Sequence, residues 1–181
     1  MRGDIDHILL TQDAIQKRVK EMGEQISRDY ADAKEDVVLV CILKGAVVFF
    51  VDLARQMTTP LLMDFMAISS YGNERKTSGI VRINKDIDTS ITGRHLIIAD
   101  DIMDSGLTLN HMRELMSSRN PASMKICCLL DKPDRRECDI VPDYCGFTIP
   151  NEFVVGYGLD YCGFYRNLPF IGVLKPSVYK D

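Results

Sequence analysis

Short apolar runs rich in β-branched residues constrain the fold of this chain more than any other feature of its sequence. Four of them span residues 37–42, 61–68, 96–99 and 126–130. Runs that are apolar on both faces are typical of central strands in a parallel sheet that helices cover on each side. Helical patterns follow the first and third runs, at residues 46–57 and 107–118. Because strands alternate with helices in this way, the sequence predicts an α/β fold with a doubly wound, mainly parallel sheet.

The remaining segments complete the predicted architecture. Residues 11–30 carry apolar side chains at helical spacing, and Thr11 can accept a hydrogen bond at the start of this helix. The polar stretch at residues 69–93 is longer than most loops, which indicates a mobile lid at about residues 69–84 with a short hairpin strand near residues 80–83. No repeat or linker divides the sequence, so we expect residues 1–181 to form one domain.

The composition argues against several functional classes. With 22 Lys and Arg against 26 Asp and Glu, the chain carries a formal net charge of −4, which argues against nucleic acid as a partner. The longest apolar stretch, residues 37–51, contains Lys44 and is too short to span a membrane. The six cysteines include no C-x-x-C pair, which argues against a zinc ribbon, and Cys127 and Cys128 lie in an apolar run. We therefore expect a protein of the reducing cytoplasm without a membrane segment.

Residues 97–109, with the sequence IIADDIMDSGLTL, form the most informative segment. An apolar strand leads into Asp100, Asp101 and Asp104, and a Ser-Gly-x-Thr turn then opens a helix. In an α/β sheet this order places the acids at the carboxyl end of a strand, where ligands bind. It also directs the backbone N–H groups of residues 105–108 and a helix N-terminus towards one point, which suits a phosphate monoester. Carboxylates beside that point can accept hydrogen bonds from sugar hydroxyls.

Other phosphate-binding motifs do not fit the sequence. It contains no G-x-x-x-x-G-K-[ST], and Gly156-Tyr157-Gly158 does not continue into G-x-G-x-x-G, so a P-loop nucleoside triphosphatase and a dinucleotide dehydrogenase are both disfavoured. A single acid after a strand most often caps the next helix, and Asp104 can be interpreted in that way. Three acids within five positions make capping a weak explanation for the whole group.

Residues 97–109 resemble the phosphoribosyl diphosphate (PRPP) binding motif of the type I phosphoribosyltransferases. Further segments resemble the branch of that family that salvages 6-oxopurines, the hypoxanthine phosphoribosyltransferases, and most of all its bacterial members. These segments are LKGA (43–46), SYG (70–72), LLDKP (129–133), FVVGYGLDY (153–161) and YRNLP (165–169). The resemblance covers nearly the whole chain. It implies a type I phosphoribosyltransferase fold, in which the terminal segments form a small hood beside the parallel sheet.

The resemblance implies an Mg²⁺-dependent reaction of purine salvage. The 5-phosphoribosyl group of PRPP passes to N9 of hypoxanthine, or of guanine, and the products are IMP or GMP and diphosphate. Asp104 is implied as the general acid or base at purine N7, because proton transfer is needed when N9 attacks C1′ of the ribose. Lys132 is implied as the donor to the exocyclic O6, Phe153 as the ring that stacks on the purine, and Val154 as a source of backbone contacts to the base edge.

The same resemblance implies how PRPP and the metal are held. The residues that it assigns to PRPP are Lys44, Gly45, Ser70, Tyr71, Asp100, Asp101, Ser105, Gly106, Leu107, Thr108 and Arg166. Asp100, Asp101 and Asp160 would hold Mg²⁺, a hard cation that prefers oxygen ligands. The segment with Ser70 and Tyr71 would close over the site and exclude water. Similar enzymes have a cis peptide bond before the residue at position 44, many carry Glu at position 100, and some carry Lys at position 107.

Alternatives remain open at several of these positions. Without the motifs, Lys44 and Lys132 would be ordinary loop lysines, Phe153 a core aromatic residue, and Asp160 and Arg166 surface charges. A regulator that uses the same fold to bind RNA is a second functional hypothesis, although it would need a basic face. Preference for guanine or xanthine is a third. Family members form dimers or tetramers, and the predicted helix at residues 46–57 is a candidate contact.

Overall fold

A computed structural model describes residues 1–70 and 81–179 of the chain. The strands are β1 (Ile5–Leu10), β2 (Val37–Leu43), β3 (Leu61–Ser70), β4 (Val81–Lys85), β5 (His95–Met103), β6 (Ser123–Asp131), β7 (Tyr144–Thr148), β8 (Val154–Val155) and β9 (Ile171–Leu174). The helices are α1 (Gln12–Asp29), α2 (Val47–Gln56), α3 (Leu107–Ser117) and α4 (Pro176–Tyr179). Short 3₁₀ turns lie at Arg2–Asp4 and Pro133–Arg135.

The larger sheet has the strand order β4-β3-β2-β5-β6-β7. Strands β3, β2, β5, β6 and β7 run parallel to one another, and β4, which pairs with the end of β3, is the only antiparallel strand described in this sheet. Helix α2 connects β2 to β3, and helix α3 connects β5 to β6. The doubly wound, mainly parallel sheet predicted from the apolar runs is therefore confirmed.

Alternate side chains of each central strand enter different cores, which explains why the runs are apolar throughout. Leu39, Cys41 and Ile97 pack with α1 and α2 on one face of the sheet. On the opposite face, Val38 and Ile98 pack with the α3 side chains Leu109, Met112 and Met116. Successive side chains of a strand point to opposite faces, so a strand covered on both sides requires apolar residues at every position.

The terminal segments form a second, antiparallel sheet with the order β1-β9-β8. This sheet corresponds to the small hood that the family resemblance implied. It brings Val154 in β8 opposite Val173 in β9 and so anchors residues 153–160 beside the larger sheet. Strand β1 was not predicted from the sequence, and neither was β7 at the edge of the larger sheet.

Most predicted boundaries agree with the structure within a few residues. Thr11 lies before α1, and its Oγ1 accepts a hydrogen bond from the backbone N–H of Ala14 at 3.3 Å, as the capping pattern indicated. Residues 71–80 of the predicted lid lie outside the described residues, while its flanks at residues 69–70 and 81–84 belong to β3 and β4. In the parts of the chain that the structure describes, no helix is both long enough and apolar enough to span a membrane.

The buried carboxylate of Asp64 connects β3 to the chain that follows β4. Its Oδ2 accepts hydrogen bonds from the backbone N–H groups of Asp88 and Thr89 at 2.9 and 2.7 Å, and its Oδ1 accepts one from Phe65 at 2.7 Å. Burial by itself would raise the pKa of Asp64, but these hydrogen bonds outweigh it and hold the pKa below its usual value. Asp64 therefore stabilises the fold in its ionised form.

Replacement of this carboxylate tests its contribution to stability. We expect Asp64→Asn to lower the free energy of unfolding by about 1–3 kcal/mol at pH 7, because one buried acceptor is lost. Since the pKa is depressed in the folded protein, the contribution is present above the unfolded pKa of about 4 and is lost as the pH falls through the folded value. Urea unfolding from pH 7 down to pH 3 should therefore show the two proteins converging, whereas the exposed control Asp88→Asn should change stability by only a few tenths of a kcal/mol.

Candidate active site

A cavity of about 250 Å³ lies at the carboxyl ends of β2 and β5. The residues that line it and that the sequence analysis had selected are Gly45, Asp100, Asp101, Asp104, Ser105, Gly106 and Thr108. A larger cleft of about 770 Å³ lies at the amino ends of β5 and β6, between them and the end of α1. Its acids and bases already pair with one another, for example Lys125 with Asp143 and His95 with Glu35. The smaller cavity is the better candidate, because ligands of α/β sheets bind at the carboxyl ends of the strands.

Asp100 and Asp101 lie within β5, which continues to Met103 instead of ending at residue 99 as predicted. Ile102 and Met103 still pair with Leu130 and Asp131 of β6, so the two acids are held by strand pairing on both sides of them. Burial, reinforced by the neighbouring Asp101 charge, raises the pKa of Asp100 well above its ordinary value. Burial also raises the pKa of Asp101. The pair thus concentrates unfavourable negative charge where a ligand with hydroxyl or cationic groups can relieve it.

Glycine is required at position 45 because Asp101 occupies the space beside it. A Cβ on Gly45 would lie 1.7 Å from Asp101 Oδ2, far inside van der Waals contact. On the other side, a Cβ on Gly158 would lie 2.1 Å from the carbonyl oxygen of Gly45. The backbone of the loop after β2 is therefore in close contact with β5 and with the hood segment. The preceding Leu43–Lys44 peptide bond is cis, as the resemblance implied, and the Lys44 side chain is exposed.

The turn at residues 105–108 has the geometry of an anion site. Gly106 precedes α3 with φ of +82°, a left-handed conformation that favours glycine, and no side chain caps the helix. Leu107 is the first helical residue, and its N–H donates to Ser105 Oγ at 3.4 Å, which is a long hydrogen bond. The N–H groups that follow it at the start of α3 are left for a ligand, beside the hydroxyls of Ser105 and Thr108. The turn is supported from behind, because Glu137 donates its N–H to the Ser105 carbonyl at 2.9 Å.

Asp104 forms an ion pair with Arg135 and does not cap α3. Arg135 Nε lies 3.0 Å from Asp104 Oδ1, and both side chains are about half exposed. The capping interpretation of Asp104 is therefore wrong. Arg135 was not predicted as a site residue, although the two consecutive arginines after Asp134 are a signal for it in the sequence.

Lys132 lies next to Asp104 and is 93% buried, with a relative exposure of only 7%. Its backbone N–H donates to the Met103 carbonyl at 2.9 Å, and its Nζ donates to the Glu152 carbonyl at 2.7 Å. Burial lowers the pKa of Lys132. A buried ammonium with one described hydrogen bond can still donate to a ligand, since it carries three protons. An ordinary solvated loop lysine does not match this environment.

Phe153 is half exposed and not a core residue. Its ring stacks on the ring of Tyr179 in α4, with centroids 4.7 Å apart, and meets Tyr161 edge to face at 5.6 Å. The next residue, Val154, is buried in β8. The structure thus places an accessible aromatic ring beside the Glu152 carbonyl that binds Lys132.

Arg166 and Asp160 form an ion pair, with Arg166 Nη2 2.6 Å from Asp160 Oδ1. Arg166 Nη1 also donates to the Gly158 carbonyl at 2.6 Å, and Asp160 Oδ2 accepts the Gly163 N–H at 2.8 Å. Because Gly158 touches the loop at Gly45, Arg166 lies on the same side of the site, and its charge lowers the pKa of Asp101 in opposition to burial. Asp160 and Arg166 are therefore paired charges beside the candidate site and not isolated surface charges.

Two predicted residues fall where the structure says little. Tyr71 lies outside the described residues, and only the backbone of Ser70, at the end of β3, is described. Within residues 1–70 and 81–179, no three His, Cys, Asp or Glu side chains converge as a metal site. Mg²⁺ does not require such a cluster, because it commonly keeps several waters and takes one or two carboxylates together with substrate oxygens.

Comparisons with known proteins agree on one family. The model of the phosphoribosyl transferase domain matches residues 7–162. The hypoxanthine-guanine phosphoribosyltransferase of Bacillus subtilis is 51% identical over 181 residues, covering 100% of this chain and 99% of the relative. The enzyme of the same name from Mycobacterium tuberculosis is 50% identical, and the match covers 98% of this chain and 90% of the relative. A crystal structure of a hypoxanthine phosphoribosyltransferase from Staphylococcus aureus matches with a TM-score of 0.96 at 46% identity, covering 100% of this chain and 97% of that one.

The raised pKa of Asp100 makes a testable prediction about stability. We expect Asp100→Asn to raise the free energy of unfolding at pH 8 by on the order of 1 kcal/mol, because the variant no longer buries a charge. Since the folded pKa is raised, the wild type is fully stabilised only below the unfolded pKa and loses stability as the pH rises through the folded value. When urea midpoints are measured from pH 4 to pH 8, the difference in stability between Asp100→Asn and the wild type should increase with pH. The exposed control Asp32→Asn should show no such trend, and a variant less stable than the wild type at every pH would contradict the interpretation.

Proposed function

Because the chain belongs to the phosphoribosyltransferase family, we infer that it transfers the 5-phosphoribosyl group of PRPP to N9 of hypoxanthine, releasing IMP and diphosphate. The reaction is one of purine salvage. The observation that carries this inference is the single cavity in which an acid pair, Asp104 and a phosphate-binding turn meet at the carboxyl ends of β2 and β5. Lys132 and Phe153 add a base-recognition pair beside it.

We propose that PRPP binds along this cavity from α3 to the loop after β2. Its 5′-phosphate would accept hydrogen bonds from the N–H groups that begin α3 and from Ser105 and Thr108. The ribose hydroxyls would donate to Asp100 and Asp101, which relieves their repulsion. The diphosphate would lie over the Lys44–Gly45 backbone, with Arg166 as its cationic partner. Ser70 and Tyr71 remain proposed as residues that close over it.

We propose that the purine ring lies between Asp104 and Phe153. The ring of Phe153 is accessible for stacking, and the Lys132 ammonium can donate to a carbonyl at position 6. An ammonium cannot accept a hydrogen bond, so it opposes the amino group of adenine. Guanine carries the same 6-oxo group, and we propose that it is accepted and converted to GMP, as the names of the relatives suggest for them.

In the proposed mechanism Asp104 accepts the proton of purine N7 while N9 attacks C1′. The C1′–O bond to diphosphate breaks as the N9–C1′ bond forms, so the N7 proton must leave for the product to be neutral. The ion pair with Arg135 involves the ionised carboxylate, which is the form that accepts a proton.

We propose that Mg²⁺ is required and is held through Asp100, Asp101 and Asp160. The donor set fits, since it consists of carboxylate oxygens beside the space proposed for the ribose and diphosphate. Asp160 already bonds Arg166 and the Gly163 N–H, but each carboxylate oxygen has a second lone pair. Bound Mg²⁺ would neutralise part of the diphosphate charge and make it a better leaving group.

A direct assay tests the function and the role of Asp104. A mixture of the protein, Mg²⁺, PRPP and hypoxanthine should yield IMP, whose formation is measured by its absorbance. Chelation of Mg²⁺ should stop the reaction. Asp104→Asn should lower kcat by about 100-fold or more, because the proton acceptor is lost, with little change in the affinity for PRPP. Asp134→Asn, an exposed acid near Arg135, serves as the control and should keep wild-type kcat. Absence of turnover with hypoxanthine, guanine and xanthine would refute the proposed function.

We propose that the protein assembles as a homo-oligomer through α2 and β3. Val51 on α2 and Met63 on β3 are large apolar residues that are 40% and 46% exposed. Met63 lies two positions before Phe65, on the same face of the strand, and the Phe65 ring lies 5.2 Å from that of Phe50 in α2. The exposed side chains thus continue the core of this face outward.

A charge placed on this surface tests the assembly. We expect the wild type to sediment as a dimer or tetramer, and Met63→Lys to shift it towards the monomer because a buried ammonium opposes association. Val141→Lys introduces the same charge at a residue that is 75% exposed on another part of the chain and should leave the mass unchanged. An unchanged mass for Met63→Lys would exclude this surface as the interface.

We propose that the protein acts in the cytoplasm. Cys41, Cys127 and Cys128 lie in the core as free thiols, and burial, together with the charges of Asp100 and Asp101, raises the pKa of Cys41 to about 12. Thiols kept neutral in a core are suited to a reducing compartment.

A further inference from the structure

Three chain segments meet within van der Waals contact at the inner end of the active site. They are β5 at Asp101, the loop after β2 at Gly45, and the hood segment at Gly158. A Cβ at either glycine would overlap the next segment, at 1.7 Å from Asp101 Oδ2 and at 2.1 Å from the Gly45 carbonyl oxygen. The position of the Gly45 backbone therefore depends on where the hood segment stands. Nothing within these contacts themselves attaches Gly158 to the loop, because repulsion sets only a lower limit on their distance.

A hydrogen bond just outside the site supplies the missing attachment. Tyr157 precedes Gly158, and its hydroxyl donates to Asp52 Oδ2 at 2.6 Å. Asp52 belongs to α2, the helix that begins directly after the loop of Gly45. Tyr157 is 95% buried, and its backbone N–H is fixed by the Leu168 carbonyl at 2.8 Å. A short bond to a carboxylate is among the stronger side-chain hydrogen bonds, so it can hold α2 and the hood segment at a fixed separation.

The backbone of Tyr157 has a conformation that is uncommon for residues with a Cβ, which indicates that the position of this side chain is specific. Tyr157 has φ of +50°, in the left-handed region that a residue with a Cβ adopts infrequently, and it lies between Gly156 and Gly158, which also have positive φ. This conformation turns the tyrosine ring towards α2 while it leaves the Gly158 carbonyl for Arg166 Nη1 at 2.6 Å. One local conformation thus serves both the contact with α2 and the orientation of Arg166.

We propose that Asp52 and Tyr157 are a positioning pair for PRPP: their hydrogen bond fixes the distance between the hood and the loop at Gly45, and thereby the place of the diphosphate. This inference rests on the proposed function, in which Gly45 and Arg166 hold the diphosphate. Neither Asp52 nor Tyr157 lines the cavity that contains Asp104, beside which the purine is proposed to lie. Loss of the hydrogen bond should therefore weaken binding of PRPP selectively and leave recognition of the base intact.

Steady-state kinetics of Tyr157→Phe test this selectivity, because the variant removes only the hydroxyl. We expect KM for PRPP to rise about tenfold, which corresponds to about 1.4 kcal/mol, while KM for hypoxanthine stays within twofold. Calorimetry with diphosphate and Mg²⁺ should show a similar loss of affinity. An unchanged KM for PRPP, or an equal rise in both KM values, would overturn the proposal.

Matched variants separate positioning from general stability. Tyr144→Phe removes a second tyrosine hydroxyl that donates to an aspartate, Asp29 Oδ2 at 2.8 Å, at the opposite end of the sheet. It should lower the melting temperature without raising KM for PRPP. Asp52→Ala should reproduce the effect of Tyr157→Phe, Asp52→Asn should restore much of the PRPP affinity because it keeps an acceptor, and the double variant with Asp52→Ala and Tyr157→Phe should be no worse than either single one.

The proposal can still be tested if Tyr157→Phe does not fold or if the wild type forms no IMP. If Tyr157→Phe fails to fold, the partly exposed Asp52→Ala and Asp52→Asn pair still decides the matter through KM for PRPP, and equal values for these two variants would overturn the proposal. If the wild type forms no IMP, the proposed function fails by itself. Diphosphate calorimetry on the wild type and the variants then judges the positioning pair, and the proposal falls if the affinities are equal or if the wild type binds no diphosphate.

Discussion

The pairing of β5 between β2 and β6 is the constraint on which the rest of the structure depends. This central strand aligns the carboxyl ends of its neighbours, and it carries the acid pair in its own last residues. Because β5 continues past the acids to Met103, the carboxylates have fixed positions before any ligand arrives. Three parts of the site belong to segments that follow this strand or its two neighbours. They are the turn at residues 105–108, Gly45 and Lys132. The pairing of these strands therefore determines the geometry of the site.

The central part of the fold could be predicted because its physics is local. Strands covered on both faces must be apolar at every position, so β2, β3, β5 and β6 appear as uninterrupted runs. The edge strand β7 is only partly buried, and its carbonyls at Cys145 and Gly146 accept hydrogen bonds from Arg18 of α1, so no run of that kind exists. Strand β1 is exposed at half of its positions and owes its conformation to pairing with β9, more than 160 residues away.

The residues of the candidate site likewise divide into those that the local sequence predicts and those that it does not. Asp100, Asp101, Asp104 and the turn at residues 105–108 are contiguous, so their order alone indicated a phosphate and sugar site. Lys132 and Phe153 look ordinary in isolation and were selected only through resemblance to a family. Arg135 and the Asp52–Tyr157 bond were missed because a contact between residues 31 or 105 positions apart leaves no periodic pattern in the sequence. The end of β5 was predicted too early because the acids interrupt its apolar run.

The acid pair at the end of β5 also couples the lifetime of the protein to its ligands. A half-buried pair with raised pKa values weakens the empty fold, and any ligand that binds only the native state adds RT ln(1 + [L]/Kd) to the free energy of unfolding. The unfolded fraction is the part of the population that proteases degrade. Binding of PRPP and Mg²⁺, as proposed, would therefore protect the protein from degradation by lowering that fraction.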